Sequence, residues 1–295
     1  MTLTRRSFNR LAGGLLMGAG PALATGRALA QDGSMIARHG HAPFFTAHLY
    51  PGSPITLSEE ALRTRGEMVL ALTFDDGPSP NTEGEILRVL AEYRAPATFF
   101  VIGRNTAQHL DALQSLVDSG HEIGNHSWSH PMLSTLSADR QQEELRRTND
   151  VLASAGIVPS WFRPPYGDYD SLTNHIARSE QLETILWSVD SRDWKGGTPD
   201  SVARRVNGDI SPGAVILMHS TKANTVAALP QILQHATANG YRFVTLSQWK
   251  EIMIRTDPIA VRMAVEAKFA ELPLPTPARV AEVPRLAPEP VRAMR

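Results

Sequence analysis

The 295-residue chain is 42% hydrophobic and 20% charged, with 29 Lys+Arg against 30 Asp+Glu and no cysteine. That composition supports one large domain with a buried core. It excludes a disulfide framework, a thiolate metal site and the basic excess of a nucleic-acid binder.

The first element in chain order is not part of a fold. Thr4-Arg5-Arg6-Ser7-Phe8 is followed by an apolar run over 11–24 and by Ala28-Leu29-Ala30. A basic start, an apolar middle and small residues before Gln31 predict a cleaved export signal over 1–30. The run is shorter than the roughly 20 residues that cross a bilayer, so no stable membrane span is expected after cleavage. The paired arginines with Phe8 are similar to a twin-arginine signal; a general secretory signal with two chance arginines is the simpler alternative. Removal of 1–30 takes Lys+Arg from 29 to 25 against 30 acids. The expectation is an exported protein, periplasmic or secreted.

Residues 31–65 carry scattered Gly, Pro and His without a period and read as a linker or lead-in. From residue 68 the pattern changes. Strands are predicted over 68–74, 97–102, 121–125, 161–163, 184–189, 214–218 and 242–245, with helices over 82–93, 105–119, 138–155, 169–178, 199–207 and 226–239. Such alternation predicts a parallel β/α architecture. Seven strands suit a closed or nearly closed barrel over 66–255, and no G-x-G-x-x-G follows the first strand to favour a flat dinucleotide-binding sheet. Residues 256–295 begin with a helical pattern through Val261, Val265 and Phe269 and end as a Pro-rich tail.

The chemistry-bearing residues cluster where these strands end. Thr73-Phe74-Asp75-Asp76-Gly77-Pro78 closes the first strand with two adjacent carboxylates. Like charges at that separation repel, and a cation relieves them. An Asp-Gly turn with two solvated acids is the plainer reading. His126-Ser127-Trp128-Ser129-His130 follows the third strand. Extended, the two imidazoles would stand roughly 13 Å apart; wound as a helical turn, they would meet at about 5–6 Å and could share one ion. Further on, Trp161-Phe162-Arg163-Pro164-Pro165-Tyr166-Gly167, Asp190-Ser191-Arg192-Asp193-Trp194 and Ile216-Leu217-Met218-His219 each place a polar group at a strand end. In parallel barrels those ends build the active site.

Taken together, TFDDGP, HSWSH, RPPYG, DSRDW and LMH resemble, in order and kind, the five motifs of the polysaccharide deacetylases with a NodB homology domain (carbohydrate esterase family 4). The resemblance covers about residues 68–249, with no departure at a motif position. It implies a distorted (β/α) barrel with a divalent ion at its mouth, zinc by preference and cobalt as a substitute. It implies Asp76, His126 and His130 as ligands and Asp75 as general base, with Arg163 paired to Asp75 and keeping its pKa low. His219 is the implied general acid, oriented by Asp193, with Asp190 as the alternative. The Tyr166 backbone N–H is the implied oxyanion donor, and Leu217 and Trp187 the walls of the acetyl pocket. The implied partner is an N-acetylated polysaccharide or oligosaccharide: peptidoglycan, a chitin-like chain or poly-N-acetylglucosamine. An acetylxylan esterase or other amide hydrolase on the same site is one alternative, and a non-catalytic carbohydrate-binding protein is another.

Overall fold

The computed structural model describes residues 65–256, together with the backbone of a two-residue antiparallel pair, Phe45–Thr46 (β1) with Thr56–Leu57 (β2). That pair lies inside the stretch expected as lead-in. The export signal and the Pro-rich tail lie outside the described residues.

The central strand is β3, Val69–Gly77, buried on both faces, as its near-continuous apolar sequence requires of a parallel strand covered on each side. The others are β4 (Thr98–Val101), β5 (Glu122–Asn125), β6 (Trp161–Phe162), β7 (Glu183–Thr184), β8 (Val189–Asp190), β9 (Ala214–His219) and β10 (Arg242–Val244). They follow the order β7-β6-β5-β4-β3-β9-β8, every pairing parallel. β10 pairs with Val69–Ala71 of β3, below the point where β4 takes over from Thr73 onward. The result is the expected distorted (β/α) barrel.

One expected strand is broken. The run predicted over 184–189 forms two short strands on opposite edges: β7 pairs β6, whereas β8 pairs β9. The intervening residues bridge the opening, with Ile185 N donating to Phe162 O at 2.9 Å and Ser188 N to Val215 O at 2.9 Å. Local composition reads the whole run as one strand. Which edge each half joins is decided by barrel closure, a long-range constraint.

Period-2 alternation along β3 divides the core. Leu70, Leu72 and Phe74 face outward, under Ile86 and Val89 of α1 (Glu83–Glu92) and Leu229 and Ile232 of a later helix over 223–238. Val69 and Ala71 face inward, with Phe100, Trp161, Val215 and Trp249. Trp249 lies in a C-terminal helix, Leu246–Thr256, that the sequence reading left unassigned. It plugs the barrel from below, fully buried, its indole N–H donating to Gly213 O at 2.8 Å. A buried tryptophan of this kind contributes about 3–5 kcal/mol relative to alanine. With the lower barrel filled, the next inward positions of β3, Thr73 and Asp75, point into its upper mouth. No helix among the described residues is long and apolar enough to cross a membrane.

Candidate active site

β3 ends in a bulge. Its register against β4 shifts between Asp75 and Gly77, and Asp76, between them, takes φ 74°. A bulge sets two residues against one and re-aims side chains. Asp75 and Asp76 therefore reach one site, where a regular strand would send them to opposite faces. Asn105 Nδ2 donates to the Asp76 carbonyl at 3.1 Å, fixing the bulge. Gly77 has no room for a side chain: a Cβ there would lie 2.5 Å from Glu83 Oε1 and 2.9 Å from Ser220 Oγ. Glu83 is buried behind the loop, and that burial raises its pKa to about 7.

The loop from His126 to His130 is not the helical turn expected. Ser127 and His130 both take φ 63°, a left-handed conformation costing about 1–2 kcal/mol per residue. Hydrogen bonds hold it: Ser127 N donates to Asn125 Oδ1 (2.8 Å) and His130 N to Ser127 Oγ (3.0 Å). The two imidazole centroids nevertheless lie 4.9 Å apart. A chain reversal through left-handed residues brings them together, where the sequence suggested a helical i, i+4 spacing.

His130 Nε2 is 3.4 Å from Asp76 Oδ1, and His126 Nε2 is 3.7 Å from the same oxygen. One donor atom from each of the three residues lies within 4.8 Å of the others. Donors about 2.0–2.1 Å from a tetrahedral zinc-sized ion stand about 3.3 Å from each other. Asp76 Oδ1 is also buried without a hydrogen-bond partner, a costly state for a carboxylate oxygen that a cation relieves. His126 Nδ1 lies 2.7 Å from Arg163 O. A carbonyl can only accept, so Nδ1 carries the proton and Nε2 keeps its lone pair toward Asp76. Burial, reinforced by His130, pushes the His126 pKa down to about 3, so the ring is neutral. The three residues fit a divalent ion.

Asp75 is enclosed beside them. Its Oδ1 accepts from Arg163 Nη1 at 2.9 Å, and its Oδ2 lies 3.7 Å from His126 Nε2. Arg163 is fully buried, also donating to Thr73 Oγ1 (2.7 Å) and Leu186 O (2.9 Å), with Phe100 4.2 Å below its guanidinium. The expectation that Arg163 keeps the Asp75 pKa low is not met. Burial outweighs the attraction of Arg163, and the carboxyl lies above its ordinary value.

On the far side of β3, β9 pairs Asp75 with His219. His219 Nδ1 is 2.7 Å from Asp193 Oδ1, and His219 N donates to Asp193 Oδ2 at 2.8 Å. Thr225 Oγ1 donates to the same carboxylate and Asn224 Nδ2 to the Asp193 carbonyl. Asp190 is occupied elsewhere, accepting from Arg192 N and Trp194 Nε1. Burial works against a charged His219, but the bond and charge of Asp193, with Asp75 and Asp76, raise its pKa overall. The same bonds outweigh burial at Asp193 and lower its pKa.

Tyr166 takes φ 60° and sets its ring 4.6 Å from that of His130. Trp187 lies in the bridging segment, its ring 3.1 Å from where a Cβ on Gly167 would be and 5.7 Å from the Arg163 guanidinium. Leu217, buried, shares a face of β9 with His219. Sequence reasoning missed Thr73, Asn125, Glu144, Ser220 and Thr225, all of which hold site residues through contacts that span up to about half the chain.

A family model described as "Polysaccharide deacetylase" matches residues 63–185. The chain is similar to the peptidoglycan-N-acetylmuramic acid deacetylase PdaC of Bacillus subtilis, 35% identical over 199 residues, 67% of this chain and 42% of that protein. The solved structure of PdaC matches with a TM-score of 0.61 at 34% identity, over 70% of this chain and 98% of the solved one. A peptidoglycan-N-acetylglucosamine deacetylase of Bacillus cereus is 35% identical over 193 residues, 62% of this chain and 88% of that protein. A CE4 family pseudoenzyme from Bacillus anthracis matches with a TM-score of 0.60 at 33% identity, over 62% of this chain and 65% of the solved one. The chain spans less than half the length of curated PdaC.

Proposed function

This chain belongs to the polysaccharide deacetylase family, and on that premise we propose that it hydrolyses the N-acetyl amide of N-acetylglucosamine-containing polysaccharides or oligosaccharides, releasing acetate and a free-amine sugar. One observation carries the reading. Asp75 sits between the Asp76–His126–His130 cluster and the His219–Asp193 pair, at neighbouring strand ends of one sheet. A pseudoenzyme shares the fold at nearly the same TM-score, so shape alone would not suffice; the complete set of polar groups does the persuading.

In this reading Asp76, His126 and His130 hold a divalent ion, zinc by the balance of one carboxylate and two imidazoles. When bound, such an ion supplies Lewis-acid polarisation of a carbonyl and acidifies water. Asp75 takes the proton of the attacking water. Its raised pKa suits that task, because a base is most effective with a pKa near the operating pH. Asp193 holds Nδ1 of His219, leaving Nε2 to deliver a proton to the departing nitrogen, without which an amine leaves poorly. The Tyr166 N–H is assigned to the oxyanion, and Leu217 with Trp187 to the acetyl methyl. Overall, one water adds across the C–N bond, its OH to the acyl carbon and its proton to the amine.

Mass spectrometry of products from peptidoglycan fragments, chitooligosaccharides, poly-N-acetylglucosamine and acetylxylan tests the proposal. Amide deacetylation of at least one of the first three supports it. Acetate from acetylxylan alone would make it an esterase. Binding without acetate loss from any, by metal-loaded protein, would make it a carbohydrate-binding protein.

The His219–Asp193 pair yields a pH prediction. Asp193 raises the His219 pKa against the effect of burial, so Asp193→Asn lowers it. A general acid must be protonated, so the high-pH fall in kcat/KM moves to lower pH in this variant. An unmoved limb would remove His219 from the acid role.

Export through the signal over 1–30 is part of the same proposal. It is supported by Arg5-Arg6 and Ala28-Leu29-Ala30, and N-terminal sequencing of exported protein, expected to begin near Gln31, checks it.

A further inference from the structure

His126 and His130 are held in different ways. His126 is fixed through its own ring, by Nδ1 against the Arg163 carbonyl, and through its amide, which donates to Val101 O at 3.0 Å. His130 is half-buried at the end of a loop with two left-handed residues, and it is fixed from behind, through the backbone. The next contact back is at Ser129, whose N–H donates to Glu144 Oε2 at 2.7 Å and whose hydroxyl donates to Glu144 Oε1 at 2.8 Å. Both carboxylate oxygens thus grip one residue, immediately before the ligand.

Glu144 lies in the helix Ala138–Ser154, and that helix is registered against the metal loop at its other end. Asn125, the residue before His126, donates through Nδ2 to Leu145 O (2.9 Å) and to Asn149 Oδ1 (2.8 Å), while its Oδ1 accepts from Ser127 N. The Arg147 guanidinium covers the Trp128 ring at 4.0 Å. The helix therefore spans the loop, anchored near His126 by Asn125 and near His130 by Glu144. Left-handed residues persist only where their surroundings over-determine them, and Glu144 supplies the grip closest to His130.

We propose that Glu144 is a positioning residue for the metal site: by clamping Ser129 it sets the place of His130 relative to Asp76, and hence the affinity of the three-residue cluster for a divalent ion. The inference rests on Asp76, His126 and His130 being the ligands.

Cobalt(II) binding, followed by visible absorption and by competition with a chelator, tests it without reference to activity. Glu144→Ala should weaken cobalt binding by about 10–100-fold, the usual cost of losing a group that orients a ligand, and should alter the absorption band. Glu144→Gln keeps an acceptor for the Ser129 amide and a group to pair with its hydroxyl, so it should bind within a few-fold of wild type. A role confined to helix stability would lower the melting temperature of metal-free Glu144→Ala and leave cobalt affinity and spectrum unchanged, and that result overturns the proposal. Should Glu144→Ala fail to fold, Ser129→Ala decides. It removes one of the two bonds and should weaken binding by about 3–10-fold, within the lower part of that range; wild-type affinity would overturn the clamp. His130→Ala separates the failures, because wild-type affinity in that variant refutes the ligand assignment itself.

Discussion

Asp75→Asn is expected to retain the divalent ion while kcat falls about 10²–10⁴-fold, the usual loss for a missing general base. The substitution is close to isosteric, and the Asp76–His126–His130 cluster does not include the changed atom. Asparagine cannot take a proton from water. It also leaves Arg163 buried without its counter-charge, although Thr73 Oγ1 and Leu186 O still accept from the guanidinium. Breaking a buried pair from one side can cost about 3–5 kcal/mol, so thermal stability should drop as well, and rates belong well below the new melting temperature. Asp76→Asn should show the opposite pattern, with weakened metal binding, because a neutral amide is a poorer ligand for a hard cation. Metal content and kcat of the two variants decide the division of labour. Loss of metal in Asp75→Asn with retention in Asp76→Asn would reverse the assignment.

Removing the ion is the second large effect. Chelation should abolish deacetylation, and zinc or cobalt should restore it. His126→Ala and His130→Ala should each lose metal and activity together, and they should differ in their structural cost. His126 is enclosed, with Nδ1 bonded to the Arg163 carbonyl, so its removal also leaves a cavity and an unpaired acceptor. His130 is half-buried, and its loss should be milder for folding. Measured metal content, melting temperature and acetate release resolve these. Full activity in metal-free protein would overturn the mechanism while leaving the fold untouched.

The strand ends were legible in the sequence because they are local. An apolar run followed by Asp75-Asp76-Gly77, or by His219, marks both the strand and its terminus. Asp193 was assigned over Asp190 by resemblance, and the two bonds from His219 agree with it. The helix Leu246–Thr256 was also legible, since Leu246, Trp249, Ile252 and Met253 fall on one helical face, yet it was passed over. Other features were out of reach. Three residues apart, Trp128 and Pro131 give no hint that Ser127 and His130 would turn left-handed; the grip of Glu144 and Asn125 enforces that, and it acts across the loop. Nor does an arginine in a motif reveal its own burial. Arg163 and Asp75 meet in the barrel interior, where loss of solvent outweighs their attraction and reverses the expected pKa shift.

The broken strand also bears on how the molecule avoids its neighbours. An open sheet offers a ladder of unpaired amides and carbonyls at each rim, onto which a strand of another chain can dock. Here the two rims, β7 and β8, are two residues long each and are joined by the segment that spans the gap. An incoming strand would find too short a template to zip along. Arg163, through Ile185 O and Leu186 O, ties that same segment to the barrel interior. The guanidinium that steadies Asp75 thereby also helps to keep the protein from edge-to-edge aggregation, and a substitution chosen to disturb chemistry at this position would be felt as insolubility too.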